Sequence, residues 1–170
     1  AWTVKGDLLA AIDYVLQAFK VDPDDQWNIA SFAELFSELG DDTTAACVLK
    51  TSSLIQDAPY SSVQSALLAL YTGDGNAAES YARNALENTW IPLNKALPLA
   101  IVQTQLQLKG QSAEALALYQ KHFPDLLQSP LQELNLNNSR VAIDLASLER
   151  AMGRQAEAQQ LLAGSEKYIL

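Results

Sequence analysis

Apolar residues recur along this chain at the spacing of an amphipathic α-helix, and each stretch that carries them is followed by a glycine. Within a stretch the apolar positions fall three or four residues apart, which places them on one side of a helix. The four stripes precede Gly40, Gly73, Gly110 and Gly153, and they consist of Ile29, Phe32, Ala33 and Phe36; Val63, Ala66, Leu67, Leu70 and Tyr71; Leu99, Val102 and Leu106; and Ala142, Leu145, Ala146 and Leu148. The pattern predicts a series of helices that end at glycines.

The passages that follow the glycines also repeat. Five glycines, at positions 6, 40, 73, 110 and 153, stand 34, 33, 37 and 43 residues apart. An alanine lies five residues after each of them, at Ala11, Ala45, Ala78, Ala115 and Ala158, and the first three passages close at Pro23, Pro59 and Pro92. Glycine accepts the left-handed conformation that ends a helix, alanine lets two helices approach closely, and proline cannot continue a helix.

This pattern resembles the tetratricopeptide repeat (TPR), a 34-residue unit of two antiparallel helices with a glycine at the turn, small residues in the second helix and a proline at its end. The resemblance covers nearly the whole chain. It implies an all-α fold of about nine helices, in which antiparallel helix pairs stack into a right-handed superhelix, an α-solenoid. The chain departs from the family pattern at Glu149, where the family prefers an aromatic residue.

The resemblance predicts a single domain over residues 1–170. It divides into a half-repeat at 1–25, repeats at about 26–59, 60–92, 93–124 and 138–170, and an insertion loop at 124–138. Prolines and asparagines mark the insertion as a loop, while its leucines predict that it packs down as a lid over the last helix pair or serves as a partner-docking element. The half-repeat lacks most of its first helix, so its exposed apolar flank is covered by an upstream segment, by another copy or by nothing. We expect self-association through that end.

Composition and charge narrow the class of protein. Leucine and alanine make up 54 of 170 residues and only 18% of the chain is charged, which favours helix and argues against disorder. Residues 1–75 carry 11 acidic and 3 basic side chains, a net −8, whereas residues 76–170 carry a net −1. The net charge of −9 argues against nucleic acids and anionic membranes as partners. The acidic half is either a solvated surface or a surface that steers a basic partner.

The resemblance also implies which side chains would bind a partner. First helices line the concave side of the family's superhelix, and a concave groove suits an extended or helical peptide. The predicted groove residues are Trp27, Glu34 and Glu38; Gln64; Thr104 and Gln107; and Arg140, Asp144 and Arg150, with Ala30, Leu97, Ile101 and Ser147 on the same faces. The alternatives are an inner surface without a dedicated ligand and, for Trp27, packing against the preceding turn.

No motif for catalysis, cofactor or metal binding is present in the sequence. There is no phosphate-binding loop, no HExxH and no CxxC. His122 is expected to cap a helix end, and Cys47 is expected to be a buried, inert thiol. The acidic turns at 22–25 and 41–42 lack the ligand spacing of a calcium loop and predict helix capping. We therefore expect no enzyme, cofactor or metal, and no apolar run is long enough to span a membrane.

The segments ALALYQKHFPDLL and SRVAIDLASLERAMGRQAEAQQLL are similar to carboxy-terminal helical-repeat segments of bacterial membrane-anchored winged-helix regulators of the CadC type, and of some bacterial cyclases. This similarity implies a sensing or docking segment of a larger bacterial transcription regulator, in the cytoplasm or the periplasm. The alternative is a stand-alone assembly or secretion chaperone that holds client peptides in the groove. Either function predicts a protein or peptide ligand, with a basic ligand suited to the acidic half.

Overall fold

The computed structural model describes residues 7–51, 59–89, 91–128, 131, 134–135 and 138–168, and all regular structure within them is helical. The α-helices are α1 Leu8–Val21, α2 Gln26–Glu38, α3 Asp42–Thr51, α4 Pro59–Tyr71, α5 Gly75–Asn88, α6 Ala96–Leu108, α7 Ser112–His122, α8 Ser139–Ala151 and α9 Gln155–Ser165. Short 3-10 helices lie at Pro92–Lys95, Pro124–Leu127 and Glu166–Tyr168. The predicted all-α fold of about nine helices is confirmed for these residues.

The chain forms two compact units, unit 1 at residues 1–88 and unit 2 at residues 89–170. In unit 1, α2 packs against α1, α3 and α4, and α4 also packs against α3 and α5. In unit 2, α6 packs against α7 and α8, and α8 also packs against α7 and α9. Within each unit the helices therefore pack as consecutive hairpins, whose repeat boundaries stay a prediction.

Four glycine turns join the two helices of a hairpin in the same way. Gly40, Gly73, Gly110 and Gly153 have φ angles of 77, 80, 73 and 80°. At the first of them, the Gly40 N–H donates to the Ser37 carbonyl at 3.0 Å and the Asp41 N–H donates to the Phe36 carbonyl at 2.9 Å. The other three turns repeat this pair of bonds, the Schellman ending of a helix. Below, a first helix is one that ends at a turn glycine, and a second helix is one that begins after it.

The second turn, at Gly73, tests this geometry because it contains two glycines in different conformations. Gly73 is left-handed, whereas Gly75 is the first residue of α5. We expect Gly73→Ala to lower the free energy of unfolding by about 1–2 kcal/mol, since a Cβ is strained in the left-handed region. Gly75→Ala is expected to raise it by about 0.4–1 kcal/mol, since alanine restricts only the unfolded chain there. Urea unfolding of both variants measures this, and equal effects would contradict the register.

Helix capping accounts for part of the acidity of unit 1. The Asp7 and Asp74 carboxylates accept from the backbone N–H groups of Ala10 and Ala77, each at 3.0 Å. Asp41 accepts from both the backbone N–H and the hydroxyl of Thr44, and these hydrogen bonds lower the pKa of its carboxyl. The acidic residue after each turn glycine of unit 1 therefore satisfies the free N–H groups at the start of a second helix.

The alanines five residues after the glycines lie at the contacts between helices. Ala45, Ala78 and Ala115 are 0% exposed, and Ala158 and Ala11 are 1% and 4% exposed. Each lies on the first turn of its helix, and for all but Ala11 the chain has just reversed direction at a turn glycine. Because these alanines are almost fully buried, a larger side chain at any of these positions would overpack the contact.

The described residues of the insertion pack against the end of α9. Leu134 is 3% exposed, and its carbonyl accepts a hydrogen bond from the Tyr168 hydroxyl. A Cβ placed on Gly164 would lie 3.0 Å from the Leu134 Cδ1 and 3.5 Å from the Leu131 Cδ2. Glycine at this position of α9 therefore leaves room for the two leucines.

Glu149, the departure from the family pattern, is a buried carboxylate. Its side chain is 2% exposed, and its Oε2 lies 3.4 Å from Nη1 of Arg154, at the start of α9. Burial raises the pKa of Glu149, Arg154 lowers it in part, and the charge of Glu157 adds to the increase. The carboxyl therefore replaces an apolar contact at the turn with a group that costs stability when ionised.

The pH dependence of stability tests the burial of Glu149. Its folded-state pKa lies above the ordinary value of 4.5. At a pH between these two values, the carboxyl is protonated in the folded state and ionised in the unfolded state. Stability is then lost as pH rises from about 4.5 through the folded-state pKa. We expect the Glu149→Gln variant to lose less stability over this range, measured by thermal unfolding at a series of pH values. Parallel profiles for variant and parent would contradict the assignment.

Candidate functional site

One face of α2 is exposed along its whole length. Trp27, Glu34 and Glu38 lie seven and four residues apart, so they fall within about 40° of one another around the helix. Trp27 keeps 54% of its surface exposed. Another side of α2 carries Phe32, whose ring centroid lies 4.6 Å from that of Phe36 and 5.2 Å from that of Phe19 in α1. Aromatic packing against α1 thus holds α2 in place.

The start of α2 is tied to α1 by side-chain hydrogen bonds. The Asp25 carboxylate accepts from the backbone N–H groups of Trp27 and Asn28, both at 3.0 Å. The Asn28 amide in turn donates to the carbonyls of Ala18 at 3.2 Å and Asp22 at 2.9 Å. The backbone that carries Trp27 is therefore positioned by a capped and anchored helix start.

The two glutamates of this face interact electrostatically. They lie four residues apart on α2, where like charges on one helix repel. Partial burial raises the pKa of the Glu34 carboxyl, and the negative charge of Glu38 raises it further. A cation bound beside them would relieve the repulsion and favour the ionised form of the Glu34 carboxyl.

The neighbouring first helix, α4, adds an apolar part to the face. Tyr71 is 61% exposed and Leu67 is half-buried. They lie two and six residues before Gly73, just as Glu38 and Glu34 lie two and six residues before Gly40, and α2 packs against α4. We call these five residues, Trp27, Glu34, Glu38, Leu67 and Tyr71, the unit 1 face.

On α4 the exposed residues differ from those predicted. Tyr71 was expected in the buried stripe, but it is the last residue of its helix and faces water. Gln64, the predicted groove residue, is half-buried. It lies nine residues before Gly73, and the equivalent residue nine before Gly110 is Ile101, which is buried. Counting back from the left-handed glycine, rather than following the apolar stripe, identifies the exposed residues.

In unit 2 the first helix α6 exposes a mixed surface. Thr104 is exposed, Gln107 is half-buried, and Leu108 is 77% exposed two residues before its turn glycine. The Thr104 hydroxyl donates to the Ala100 carbonyl at 2.9 Å. The exposure of Leu108 was not predicted from the sequence. Ile101 was predicted to line the groove, but it is buried, with 4% of its surface exposed.

Two further corrections concern residues outside this surface. Ala30, assigned to the exposed side of α2, is 5% exposed, because a methyl group this close to the neighbouring helix is covered by it. Cys47, expected to be buried, is exposed, because it lies two residues beyond the buried Ala45 and so points away from the helix contact.

The last first helix, α8, carries the predicted charged residues of unit 2. Arg140, Arg150 and Ser147 are exposed, and Asp144 is half-buried. Burial raises the pKa of Asp144, and the positive charge of Arg140 offsets part of the increase. Peptide binding by these residues, as by those of unit 1, stays a prediction.

A buried polar network links three helices of unit 2 beneath this surface. The Tyr119 hydroxyl of α7 donates to the Gln103 Oε1 of α6, and the Gln103 Nε2 donates to the Asp144 carbonyl of α8 at 3.1 Å. Gln103 Nε2 also lies 3.2 Å from the Gln107 Oε1. Tyr119 is 0% exposed, and burial raises the pKa of its hydroxyl, which therefore stays protonated and donates. The network aligns α6 and α8 and orients the Gln107 amide.

Other chemistry-bearing groups do not gather into a site in the described part of the chain. Those residues contain no cluster of three His, Cys, Asp or Glu side chains arranged to hold a metal ion. His122 ends α7, and its Nδ1 lies 3.4 Å from the Lys95 Nζ. Among the same residues, no helix has the length and apolar character needed to cross a membrane.

The net negative charge of the protein lies in unit 1. Residues 1–88 contain 13 acidic and 4 basic side chains, a net −9, and residues 89–170 contain 7 of each, a net charge of 0. Neither α2 nor α4 contains a lysine or arginine. The unit 1 face therefore lies in the acidic unit, on helices that bring no positive charge of their own.

Comparison with known proteins supports the fold. No family model and no curated protein matches the sequence. Among solved structures, the crystal structure of MamA, a TPR-like helical protein, superposes with a TM-score of 0.63 at 16% sequence identity, covering 98% of this chain and 93% of that one. The chain is thus a TPR-like assembly of antiparallel helix pairs.

Proposed function

We propose that the chain is a non-catalytic protein–protein interaction module that binds a peptide or protein segment on the exposed faces of its first helices. The observation that carries this proposal is the difference between the buried side and the exposed side of those helices. Their buried sides pack against neighbouring helices, while their outer faces present large side chains to water, as Trp27, Tyr71 and Leu108 do. Exposed aromatic and aliphatic side chains in a polar surround are typical of protein-binding surfaces.

Site-specific photo-crosslinking in cells tests this function. A photoreactive amino acid at Tyr71 or Leu108, on first helices, is expected to crosslink a discrete protein partner. The matched positions Tyr81 on α5 and Ala117 on α7 are also exposed but lie on second helices, and are expected to give no such product. Equal crosslinking at all four positions, or none at any, would contradict the proposal.

At a finer level, we propose that the module is a sensing or docking segment of a larger bacterial regulatory protein. This rests on the similarity of two segments to CadC-type regulators. A DNA-binding or membrane-spanning segment encoded upstream in the same gene supports it. A gene that encodes only this module contradicts it.

The second candidate is an assembly or secretion chaperone that holds client peptides. The exposed Leu108 and Tyr71 favour it, because apolar surface of this kind also holds unfolded segments. Suppression of the aggregation of an unfolded client, lost on Leu108→Ser, supports the chaperone. Turnover abolished by substitution of His122 or Cys47 would instead contradict both candidates, because it requires an enzyme.

A further inference from the structure

We infer that the unit 1 face docks a basic polypeptide segment that alternates cationic and apolar side chains. This inference rests on the proposed function and names the class of partner that one part of the surface takes. It is argued from the placement of acidic and aromatic residues on two neighbouring helices and from the distribution of charge between the two units.

The spacing on α2 defines the footprint of the partner. Trp27 and Glu38 lie eleven residues apart on one face, which corresponds to about 16 Å along the helix axis. Glu34 lies between them, about 6 Å from Glu38 along the axis. The face thus offers one aromatic anchor and two carboxylates in a line, which matches about five residues of extended chain.

The second helix of the face supplies the apolar contacts. Tyr71 on α4 occupies the position that Glu38 occupies on α2, and Leu67 the position of Glu34. Because α2 packs against α4 and packed helices lie about 8–10 Å apart, we place one apolar or aromatic residue of α4 beside each carboxylate in the inferred footprint. A lysine or arginine placed there can pair with a carboxylate while its aliphatic stem or guanidinium lies against Tyr71.

Neither of the two helices that form the unit 1 face, α2 and α4, contains a lysine or an arginine. The described lysines and arginine of unit 1 are Lys20 on α1, Lys50 on α3 and Arg83 on α5, so none lies on α2 or α4. Arg83 already pairs with Glu79 at 2.8 Å. Within the described part of unit 1, α2 and α4 carry no lysine or arginine, so a basic partner would supply the cation for Glu34 and Glu38.

The charges of the two units decide against the other occupants. A nucleic acid or an anionic membrane would be repelled by a unit with a net charge of −9. A second copy of the chain would bring either the same −9 or a unit of net charge 0, and neither complements the face. A basic polypeptide satisfies both the carboxylates and the exposed aromatic side chains.

Fluorescence anisotropy with the full chain tests the inference. The probe is a labelled synthetic peptide of about twelve residues with arginine alternating with leucine and glutamine, and the comparison peptide carries glutamate in place of each arginine. We expect the basic peptide to bind and the acidic one not to bind. Raising NaCl from 50 to 200 mM is expected to weaken binding by about tenfold, since exposed charges are screened.

Variants locate the binding on the face. The double variant Glu34→Lys, Glu38→Lys is expected to weaken binding by more than about tenfold. The control Asp13→Lys, Glu87→Lys changes the net charge equally at exposed positions on α1 and α5 of the same unit, and is expected to weaken binding by less than about threefold. Tyr71→Ala should weaken binding by about fivefold, and Tyr81→Ala should leave it unchanged. Circular dichroism checks that each variant is folded.

Two results would overturn the inference: equal losses in the two double-charge variants, or an acidic peptide that binds as well as the basic one. Neither result changes the crosslinking pattern that is expected at Tyr71 and Leu108. If that pattern holds while the basic peptide fails, the partner class is wrong and the interaction module stands. If first and second helices crosslink alike, the proposed function fails regardless of the peptide.

Discussion

Replacing Tyr119 with alanine is expected to lower the free energy of unfolding by about 3–5 kcal/mol. Tyr119 is the largest side chain of the fully buried set, and its removal leaves a cavity in the core of unit 2. The substitution also removes the donor for Gln103 Oε1, which then remains buried without this hydrogen bond. Since domains are stable by about 5–15 kcal/mol, we expect a large shift in the urea midpoint.

The variant Tyr119→Phe separates the two contributions. Phenylalanine preserves the packing and removes only the hydroxyl, so the expected loss is about 1–3 kcal/mol. Because Gln103 bridges α6 and α8, this variant should also alter the environment of Gln107. A Tyr119→Phe variant as stable as the parent would contradict a role for the network.

Replacing Ala115 with leucine has the second largest expected effect on stability. Ala115 is 0% exposed on the first turn of α7, where its helix has just reversed direction after Gly110. Three added carbons at this contact must push the helices apart, which is expected to cost about 1–3 kcal/mol.

Ala117 provides the matched control for this overpacking. It lies two residues further along α7 and is exposed, so Ala117→Leu adds the same atoms to water-facing surface. Its expected effect is within about 0.5 kcal/mol. Thermal unfolding of both variants measures the difference, and equal stability of the two would refute close packing at the alanine positions.

The repeat could be predicted because its turns depend on single residues. A left-handed glycine and a buried alanine five residues later are local requirements, and they recur in the sequence at Gly40, Gly73, Gly110 and Gly153. The acidic N-caps were predictable for the same reason, since capping involves only the next three residues. These features required no knowledge of how the helices pack.

The exposed residues were harder to predict because exposure depends on neighbouring helices. Tyr71 continues an apolar stripe and Leu108 is a large apolar residue, yet each is the last residue of its helix and is exposed. Conversely, Ala30 and Ile101 are covered by a neighbour. Periodicity gives the direction of each side chain, whereas burial depends on where the packed partner ends.

Buried polar groups form a third class that the sequence did not reveal. Gln103 and Tyr119 are sixteen residues apart and meet only because α6 and α7 form a hairpin. Glu149 could be recognised as a departure from the family pattern, but its burial beside Arg154 depends on the turn at Gly153. Such pairings become visible only with the tertiary structure.

The central claim is that first helices present the binding surface, and mapping a bound peptide by NMR tests it most directly. The full chain, labelled with nitrogen-15, is titrated with the basic peptide while backbone amide shifts are followed. The account predicts that shifts concentrate on α2 and α4, around Trp27, Glu34, Glu38 and Tyr71. Shifts that concentrate on the second helices α3 and α5 would contradict it.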